Sequence, residues 1–489
     1  MSTPKKIAVL VHNDVLRDAR VRKQARTLVE AGHDVDVFGF SSVDNEYPSH
    51  VEGARLKIET ARMQSPAMNF GLKVRKGLKG NLPGPVGRVF KTLRSIARGK
   101  LAAKMTALLL LFTMMNTLLL ALVFLALAAP AVLFAISGVL KVLLVIVLIC
   151  IAAVIVLKLA MKFFLGQYIE DWIKVNWGYG SIARSLARNV IGQGYDVVHC
   201  HDMIAMIAGE MIKKDEPGIT MVWDAHELYT ELSYKTPYMS KFTGMLIARI
   251  SRHVDKMITI SQSFIDFYAK HYPKLPPAEM VMNATRRPVT EDMNRSLLRD
   301  AAGVNDAQKI LLFQGGVAPF RGVEILLDAA PRLPANWSVV FMGYGPLQDQ
   351  IMRAAETANA DRPEGAPCIA FIPPAPQEVL RDWTSGADLG IIPYENTSKN
   401  HLYCTPNKLW EYPNARVPIL ATDLVEIEQI ITANGTGTLL PRAFTASDIV
   451  SAIEAVTDAQ LEEWRANCDV FNETENWEKF EPNLLKVYA

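Results

Sequence analysis

Four loops in the second half of the chain combine glycines, cations and a carboxylate in a way that suits the binding of a phosphorylated ligand. The sharpest is YCTPNKLWEYPNARVPIL, where Thr405 is a good helix N-cap, Pro406 suits the first helical position, and Asn407 and Lys408 follow in the first turn. A lysine in the first turn opposes the helix dipole, so stability does not account for it, whereas an anion bound at that helix end would. Glu411, three residues past Lys408, falls on the same helical face and is suited to accept hydrogen bonds from sugar or ribose hydroxyls. A plain Lys–Glu surface pair is the competing reading.

The other three loops are weaker taken singly. FQGGVAPFRGVEILLDA places Gly315 and Gly316 after a strand and Arg321 before a helix, which allows close backbone approach and offers a guanidinium fork to phosphate oxygens. GYGPLQDQ repeats the close-approach turn at Gly343 and Gly345, and in FIPPAPQEVL the rigid Pro373-Pro374 pair could edge a base. In the first half, His226 follows the strand-like MVWDA between Asp224 and Glu227. It is a candidate catalytic or acceptor-side group, against the alternative of a structural histidine. His201-Asp202, after the preceding strand, is a second candidate.

The elements that must position these loops form a repeating pattern. KKIAVLV reads as a buried parallel strand, Ala19 to Ala31 as a helix ended by Gly32, and Asp34 to Gly39 as a second strand. The rhythm resumes with a helix near Tyr179 to Ile191, the strand YDVVHCH, a helix over Met203 to Lys213, the strand ITMVWDAH, a helix over Lys241 to His253 and the strand DKMITIS. A charged, Pro-containing connector follows, and KILLFQGG, WSVVFMGYG, CIAFIP, ADLGIIPY and VPILATD then read as strands of a second unit. Strands alternating with helices imply parallel sheets, so the fold class is α/β: two doubly wound Rossmann-like domains with a cleft at the strands' carboxyl ends.

An apolar block interrupts the first of these domains. Met105 to Ala129 carries no charge over 25 residues, and Val142 to Met161 is nearly all Leu, Val, Ile and Ala. The first is long enough to cross about 30 Å of hydrocarbon as a helix, and the second, with Lys158 near its end, is slightly short. No acidic residue lies between Glu59 and Glu170, and Lys and Arg flank the block on both sides. Positive flanks favour the cytoplasmic face, so both ends belong there and the crossings are even in number. The two halves of one sheet also require the chain to return to the side it left. A transmembrane hairpin satisfies both demands; a shallow hairpin in one leaflet and a buried hairpin in a soluble core are the alternatives. GRVFKTLRSIARGK reads as a basic, partly amphipathic helix suited to anionic headgroups.

The expected layout is therefore residues 1–60 as the first part of the acceptor-side domain, 61–104 as a basic membrane-proximal segment and 105–162 as the hairpin. Residues 163–285 complete the first domain, 286–306 form a linker, 307–470 the donor-binding domain and 471–489 a crossover helix. The formal net charge of only +2 gives no case for nucleic acid. Five scattered cysteines with no CxxC or metal-type spacing fit a reducing compartment. The start lacks the long apolar region of a signal peptide, so the N-terminus is expected in the cytoplasm.

The stretches KILLFQGGVAPFRGVEILLDAA, FMGYGPLQD, ADLGIIPY and TPNKLWEY resemble the donor domain of family 4 retaining glycosyltransferases of GT-B fold. VLVHNDVLRDARVRKQARTLVEAGHDVDVFGF, YDVVHCHD and VWDAHELYTE resemble the acceptor domain of the same group. The resemblance implies that Arg321 and Lys408 hold the donor diphosphate and stabilise the departing nucleotide, that Gly315, Gly316, Thr405 and Asn407 line the donor site, and that Glu411 binds the donor ribose as the second glutamate of E-x7-E. It implies His226 at the catalytic cleft, with Asn13, Asp14, His201 and Glu227 on the acceptor side. Three positions depart from the family: Tyr403 stands where the first glutamate belongs, with Asn400 or His401 as substitutes; Gly316 replaces a frequent basic residue; and His12-Asn13-Asp14 replaces a Gly-Gly loop. The implied activity is a retaining transfer from a nucleotide-sugar donor to a lipid-linked or glycan acceptor in surface polysaccharide or glycolipid synthesis. No cofactor and no metal are required, membrane lipids are partners, and the location is the inner cell membrane with catalytic domains in the cytoplasm. A non-catalytic membrane module that binds a nucleotide sugar is the alternative, motivated by Tyr403, and another GT-B chemistry such as epimerisation is a third.

Overall fold

The computed structural model describes residues 3–16, 18–41, 47–60, 171–172, 174–289 and 292–489, with Gly138 and Val147 singly. The proposed hairpin and its basic approach lie outside the described residues apart from those two positions. Among the described residues no helix is long and apolar enough to cross a membrane. The chain divides into two compact units, one of Met1–Met63, Ile182–Lys235 and Thr243–Ala489, the other of Gln64–Ser181 and Thr236–Phe242. In the second unit Thr236 donates its hydroxyl to Asp171, and Trp172 meets Trp177 edge-on at 5.5 Å.

The first unit contains both sheets. One has eight strands, β1 (Lys6–Leu10), β2 (Asp34–Ser41), β3 (His50–Val51), β4 (Ala54–Thr60), β5 (Val197–His201), β6 (Thr220–Ala225), β7 (Lys256–Thr259) and β8 (Ala278–Met280), in the order β3-β4-β2-β1-β5-β6-β7-β8. All pairings are parallel except β3 with β4. The other has six, β9 (Lys309–Gly316), β10 (Trp337–Tyr344), β11 (Ile369–Ile372), β12 (Leu389–Ile392), β13 (Ile419–Thr422) and β14 (Gly437–Leu440), in the order β11-β10-β9-β12-β13-β14, all parallel. In each sheet the order reverses beside the first strand, β1 or β9. A crevice opens there because the following connections leave to opposite sides.

The strands read as apolar runs because helices cover both faces, and β5, β12 and β13 are buried throughout. The helix Ala19–Glu30 starts where the Asp18 carboxylate accepts the amides of Arg20 and Val21. It buries Val21, Ala25 and Leu28 along one stripe. Several elements were not expected from the sequence, among them the short strands β3, β8 and β14. β4 is an alternating strand, ARLKIET, pairing with β2 at the rim of the sheet, and its polar half hides it from a search for apolar runs. The stretch read as a linker, 286–306, holds the helix Ser296–Ala302, which buries Leu298 and Ala302 and stops at Gly303 with φ +64°.

The chain's late segments complete the first domain. The helix Asp458–Thr474 continues past the expected boundary at 470, and the helix Trp477–Lys486 then packs Trp477, Phe480 and Leu484 inward. The Trp477 backbone N–H donates to the Thr285 carbonyl at 2.8 Å, and its indole N–H to Thr27 Oγ1 at 2.9 Å. Lys5 Nζ donates to the Tyr488 carbonyl at 2.5 Å. Removing the Trp477 ring deletes a fully buried aromatic and one of the hydrogen bonds to the Thr27 hydroxyl, which keeps its bonds to Glu481 and Arg286. Trp477→Ala is expected to cost about 3–5 kcal/mol, against less than about 0.5 kcal/mol for Val470→Ala at an exposed site. Urea unfolding of the two variants side by side checks the difference.

Candidate functional site

The six-stranded sheet positions the cationic half of the site. Gly315, the last residue but one of β9, has φ +108°, a conformation L side chains rarely adopt. A Cβ there would stand 3.4 Å from Cε and Nζ of Lys408, and one at Gly316 would stand 3.1 Å from Nη1 of Arg321. The two glycines therefore give the cations room to lie against bare backbone. Lys408 is only 6 % exposed, and Nζ donates to the Tyr394 hydroxyl at 3.1 Å while lying 5.0 Å from that ring's centroid. The Arg321 guanidinium sits 5.5 Å from the same centroid. Neither cation forms an ion pair among the described residues. Burial alone would raise the Tyr394 phenol, but Lys408 and Arg321 outweigh it and bring its pKa below the ordinary value.

The carboxylate half is held from behind. Glu411 Oε2 accepts the Gln314 amide at 2.8 Å, and Gln314 Oε1 accepts the Thr384 hydroxyl at 2.7 Å. Burial raises the Glu411 pKa above 4.5, with Lys408, Gln314 and Lys23 opposing. The helix bearing these residues is Lys408–Asn414, so Asn407, not Thr405, stands at the N-cap. That corrects the expected cap, and it has a consequence. The Thr405 hydroxyl is buried without a hydrogen-bond partner among the described residues.

A cavity of about 910 Å³ unites the expected donor residues. Gly315, Gly316, Arg321, Thr405, Asn407, Lys408 and Glu411 all line it, with His226 and Glu227 from the first domain. Pro374 lines it and Pro373 does not. Of the two substitutes for the missing glutamate, Asn400 and His401 both reach the wall while Tyr403 does not. Asn400 is already engaged, its Oδ1 accepting the Leu228 backbone N–H at 2.7 Å, and His401 Nδ1 lies 2.9 Å from the Glu395 carbonyl. A second cavity of about 600 Å³ holds Asn13 and Asp14 and shares His226, Asn283, Tyr344 and Asn407 with the first. His226 thus faces both, with Nδ1 lacking a hydrogen-bond partner among the described residues.

His201 is a correction. It is fully buried and lines neither cavity. It stacks on His199 at 4.4 Å and places Nδ1 3.3 Å from Asp224 Oδ2. The donor atoms of these three residues lie within 4.8 Å of one another, as metal ligands would. The carboxylate is already taken, however. Arg20 bonds both its oxygens at 2.8 Å, Gln24 adds a third bond at 2.8 Å, and the Tyr488 hydroxyl meets His199 Nδ1. Burial favours a neutral Asp224, yet Arg20 and His201 prevail and hold its pKa well below the ordinary value. The cluster is an internal support beneath His226 rather than a site.

Sequence reading missed four contributors. Gln314 is a polar residue in an apolar strand, which was a usable signal. Tyr394 ends the quoted IIPY, and nothing in that motif distinguished it from core. Phe320 lines the large cavity at 41 % exposure with φ +67°, and Tyr344 lines both cavities at 51 % exposure. Backbone strain in a non-glycine residue has no sequence signature.

Comparison with known proteins places both halves among glycosyltransferases. Residues 308–459 match the family described as glycosyl transferases group 1, and residues 168–283 match glycosyltransferase family 4. A D-inositol 3-phosphate glycosyltransferase from Streptosporangium roseum is 25 % identical over 231 residues, covering 42 % of this chain and 49 % of that protein. One from Thermobispora bispora is 25 % identical over 224 residues, covering 42 % and 50 %. The chain thus spans about half the length of the curated relatives it matches first. Among solved structures, sucrose-phosphate synthase from Thermosynechococcus elongatus superposes with a TM-score of 0.62 at 14 % identity, over 99 % of this chain and 98 % of that one. Anabaena HepE in complex with UDP and glucose gives 0.59 at 10 % identity, over 99 % of both. The fold is the two-domain GT-B arrangement.

The buried network yields a stability prediction. Asp224→Ala leaves the Arg20 guanidinium buried without its carboxylate and is expected to cost about 3–5 kcal/mol. Urea denaturation of the variant against the parent protein measures it.

Proposed function

We propose that the chain is a membrane-anchored glycosyltransferase that moves a sugar from a nucleotide-sugar donor to a lipid-linked acceptor, with retention at the anomeric carbon. The observation that carries the donor half is the pair Lys408 and Arg321, two cations at the mouth of β9 that form no ion pair among the described residues. A nucleoside diphosphate supplies the missing negative charge. Both cavities lie at the carboxyl ends of parallel strands, where such folds take their ligands. The match to glycosyltransferase families over both domains supports the same reading.

In this reading the donor's phosphates sit over Gly315 and Gly316 between the two cations. Glu411, oriented by Gln314, accepts hydrogen bonds from ribose hydroxyls. The acceptor hydroxyl attacks the anomeric carbon on the face from which the phosphate leaves. One C–O bond forms, the C–O bond to the phosphate breaks, and the acceptor's proton passes to a phosphate oxygen. The cations stabilise the charge that develops on the leaving group, and the closed cleft supplies positioning. His226 stands where donor and acceptor cavities meet and orients the attacking hydroxyl.

Anchoring rests on the sequence: two long uncharged runs with basic flanks on both sides. A catalytic unit held at the cytoplasmic face of the inner membrane keeps its cleft near headgroups, which suits an acceptor carried on lipid for surface polysaccharide or glycolipid synthesis.

Detergent-solubilised protein assayed over a panel of nucleotide sugars with membrane lipid extract tests the reading. One donor is expected to transfer its sugar into the lipid fraction, and nucleotide binding without turnover overturns the assignment as an enzyme. Lys408→Ala and Arg321→Ala are each expected to lower kcat/KM by about 10²–10³, checked by steady-state kinetics. Glu411 accepts hydrogen bonds as the carboxylate, and its raised pKa means that form is lost earlier on acidification than for an exposed glutamate. KM for the donor is therefore expected to rise as pH falls toward the acid range. In Glu411→Gln that dependence disappears at a uniformly weaker affinity, as a pH series of initial rates will show.

A further inference from the structure

The second cavity carries information about the acceptor that the donor site does not. Its walls come from the loop after β1, the end of β2 and the start of the helix Ala19–Glu30, with His226, Asn283, Tyr344 and Asn407 opposite. That loop is held firmly. Asn13 Oδ1 accepts the Val15 amide at 2.8 Å, the Asn13 side-chain amide donates to Asp18 at 2.7 Å, and the Phe40 amide bonds the Asn13 carbonyl at 2.8 Å. Val15 is kept at φ +67°, a costly conformation for a β-branched residue. Gly39 makes the packing possible, since a Cβ there would stand 2.6 Å from the Asn13 carbonyl oxygen.

The charges presented by this rigid loop are one-sided. Arg20 lines the cavity but is 5 % exposed and saturated by Asp224, the Val281 carbonyl and Asn283 Oδ1. His12 stacks on Phe40 at 5.6 Å, and burial lowers its pKa, which favours the neutral ring. Among the described residues no unpaired cation remains in the wall. Asp18 is occupied by Asn13 and the helix amides, whereas the Asp14 carboxylate forms neither hydrogen bond nor ion pair among them. A free carboxylate beside Ser41 and the unbonded Nδ1 of His226, with an aromatic face from Phe40, is a set that hydroxyl groups satisfy. It repels a phosphate.

We infer that the acceptor end entering this cavity is a neutral, hydroxyl-rich ring, and that Asp14 selects it by bonding its hydroxyls and excluding phosphorylated analogues. The inference rests on the glycosyltransferase reading and departs from the phosphorylated acceptor named for the curated relatives. A lipid-diphosphate acceptor remains compatible, with its charged part outside the cavity and its terminal sugar within.

The test uses full-length protein in detergent, loaded with UDP, whose binding is measured first by calorimetry. Saturation-transfer NMR then compares myo-inositol and methyl glucoside with inositol monophosphate and glucose 6-phosphate. The neutral compounds are expected to bind at least about tenfold more tightly than their phosphates. In Asp14→Asn that ratio is expected to shrink by about threefold or more, with UDP affinity unchanged as evidence of an intact fold. Phosphates that bind as well as the neutral rings, or no binding of either class to UDP-loaded protein, overturn the inference and leave the donor reading standing. An unchanged ratio in Asp14→Asn overturns the role of that residue. Absence of nucleotide binding overturns the donor reading itself.

Discussion

A lysine ammonium that is 6 % exposed and forms no ion pair among the described residues is costly to hold, since desolvating a cation costs several kcal/mol. Much of the second domain reads as the means of holding it. Gly315 removes the side chain that would otherwise crowd Lys408, the Tyr394 hydroxyl and two aromatic faces replace part of its water, and β9 and β10 pair through Gly315 and Gly343 at that level. Arg321 arrives from the next loop and adds a second positive charge instead of neutralising the first. Two like charges brought together this way describe a protein whose local energy falls when an anion arrives.

The carboxylate side follows the same logic at lower stakes. Glu411 is fixed by Gln314, which is fixed by Thr384, so the acceptor atom is presented before a ligand appears. Preorganisation of this kind shifts the cost of ordering from binding to folding. In the first domain the buried Arg20–Asp224 pair and the two stacked histidines serve the same end for the loop that ends in His226.

Much of this was legible from residues alone, and the reason is chemical. A lysine in the first turn of a helix contradicts the dipole and so points to an anion, whereas two glycines after a strand gain weight only beside it. The alternation of strand and helix was equally plain, because apolar runs such as KIAVL and KILLF admit little else. What escaped notice lacked any local contradiction. β4 alternates politely and looks like loop, Thr405 looks like a cap, and His201 looks like a cleft residue until its neighbours are known. Tyr394 and the strained Phe320 owe their roles to three-dimensional placement, which no single position encodes.

The return of the chain to the first domain has a consequence for the order of events during synthesis. Lys5 meets Tyr488 across 483 positions, and Trp477 closes over Thr27 across 450. The first domain therefore cannot finish its core when its own sheet has emerged from the ribosome. It waits, with the Thr27 hydroxyl and the His199 face uncovered, until the whole second domain has been made. The packing that ties the two domains together is thus completed only after the second domain has been made, and the first domain's sheet spends that interval with part of its core uncovered.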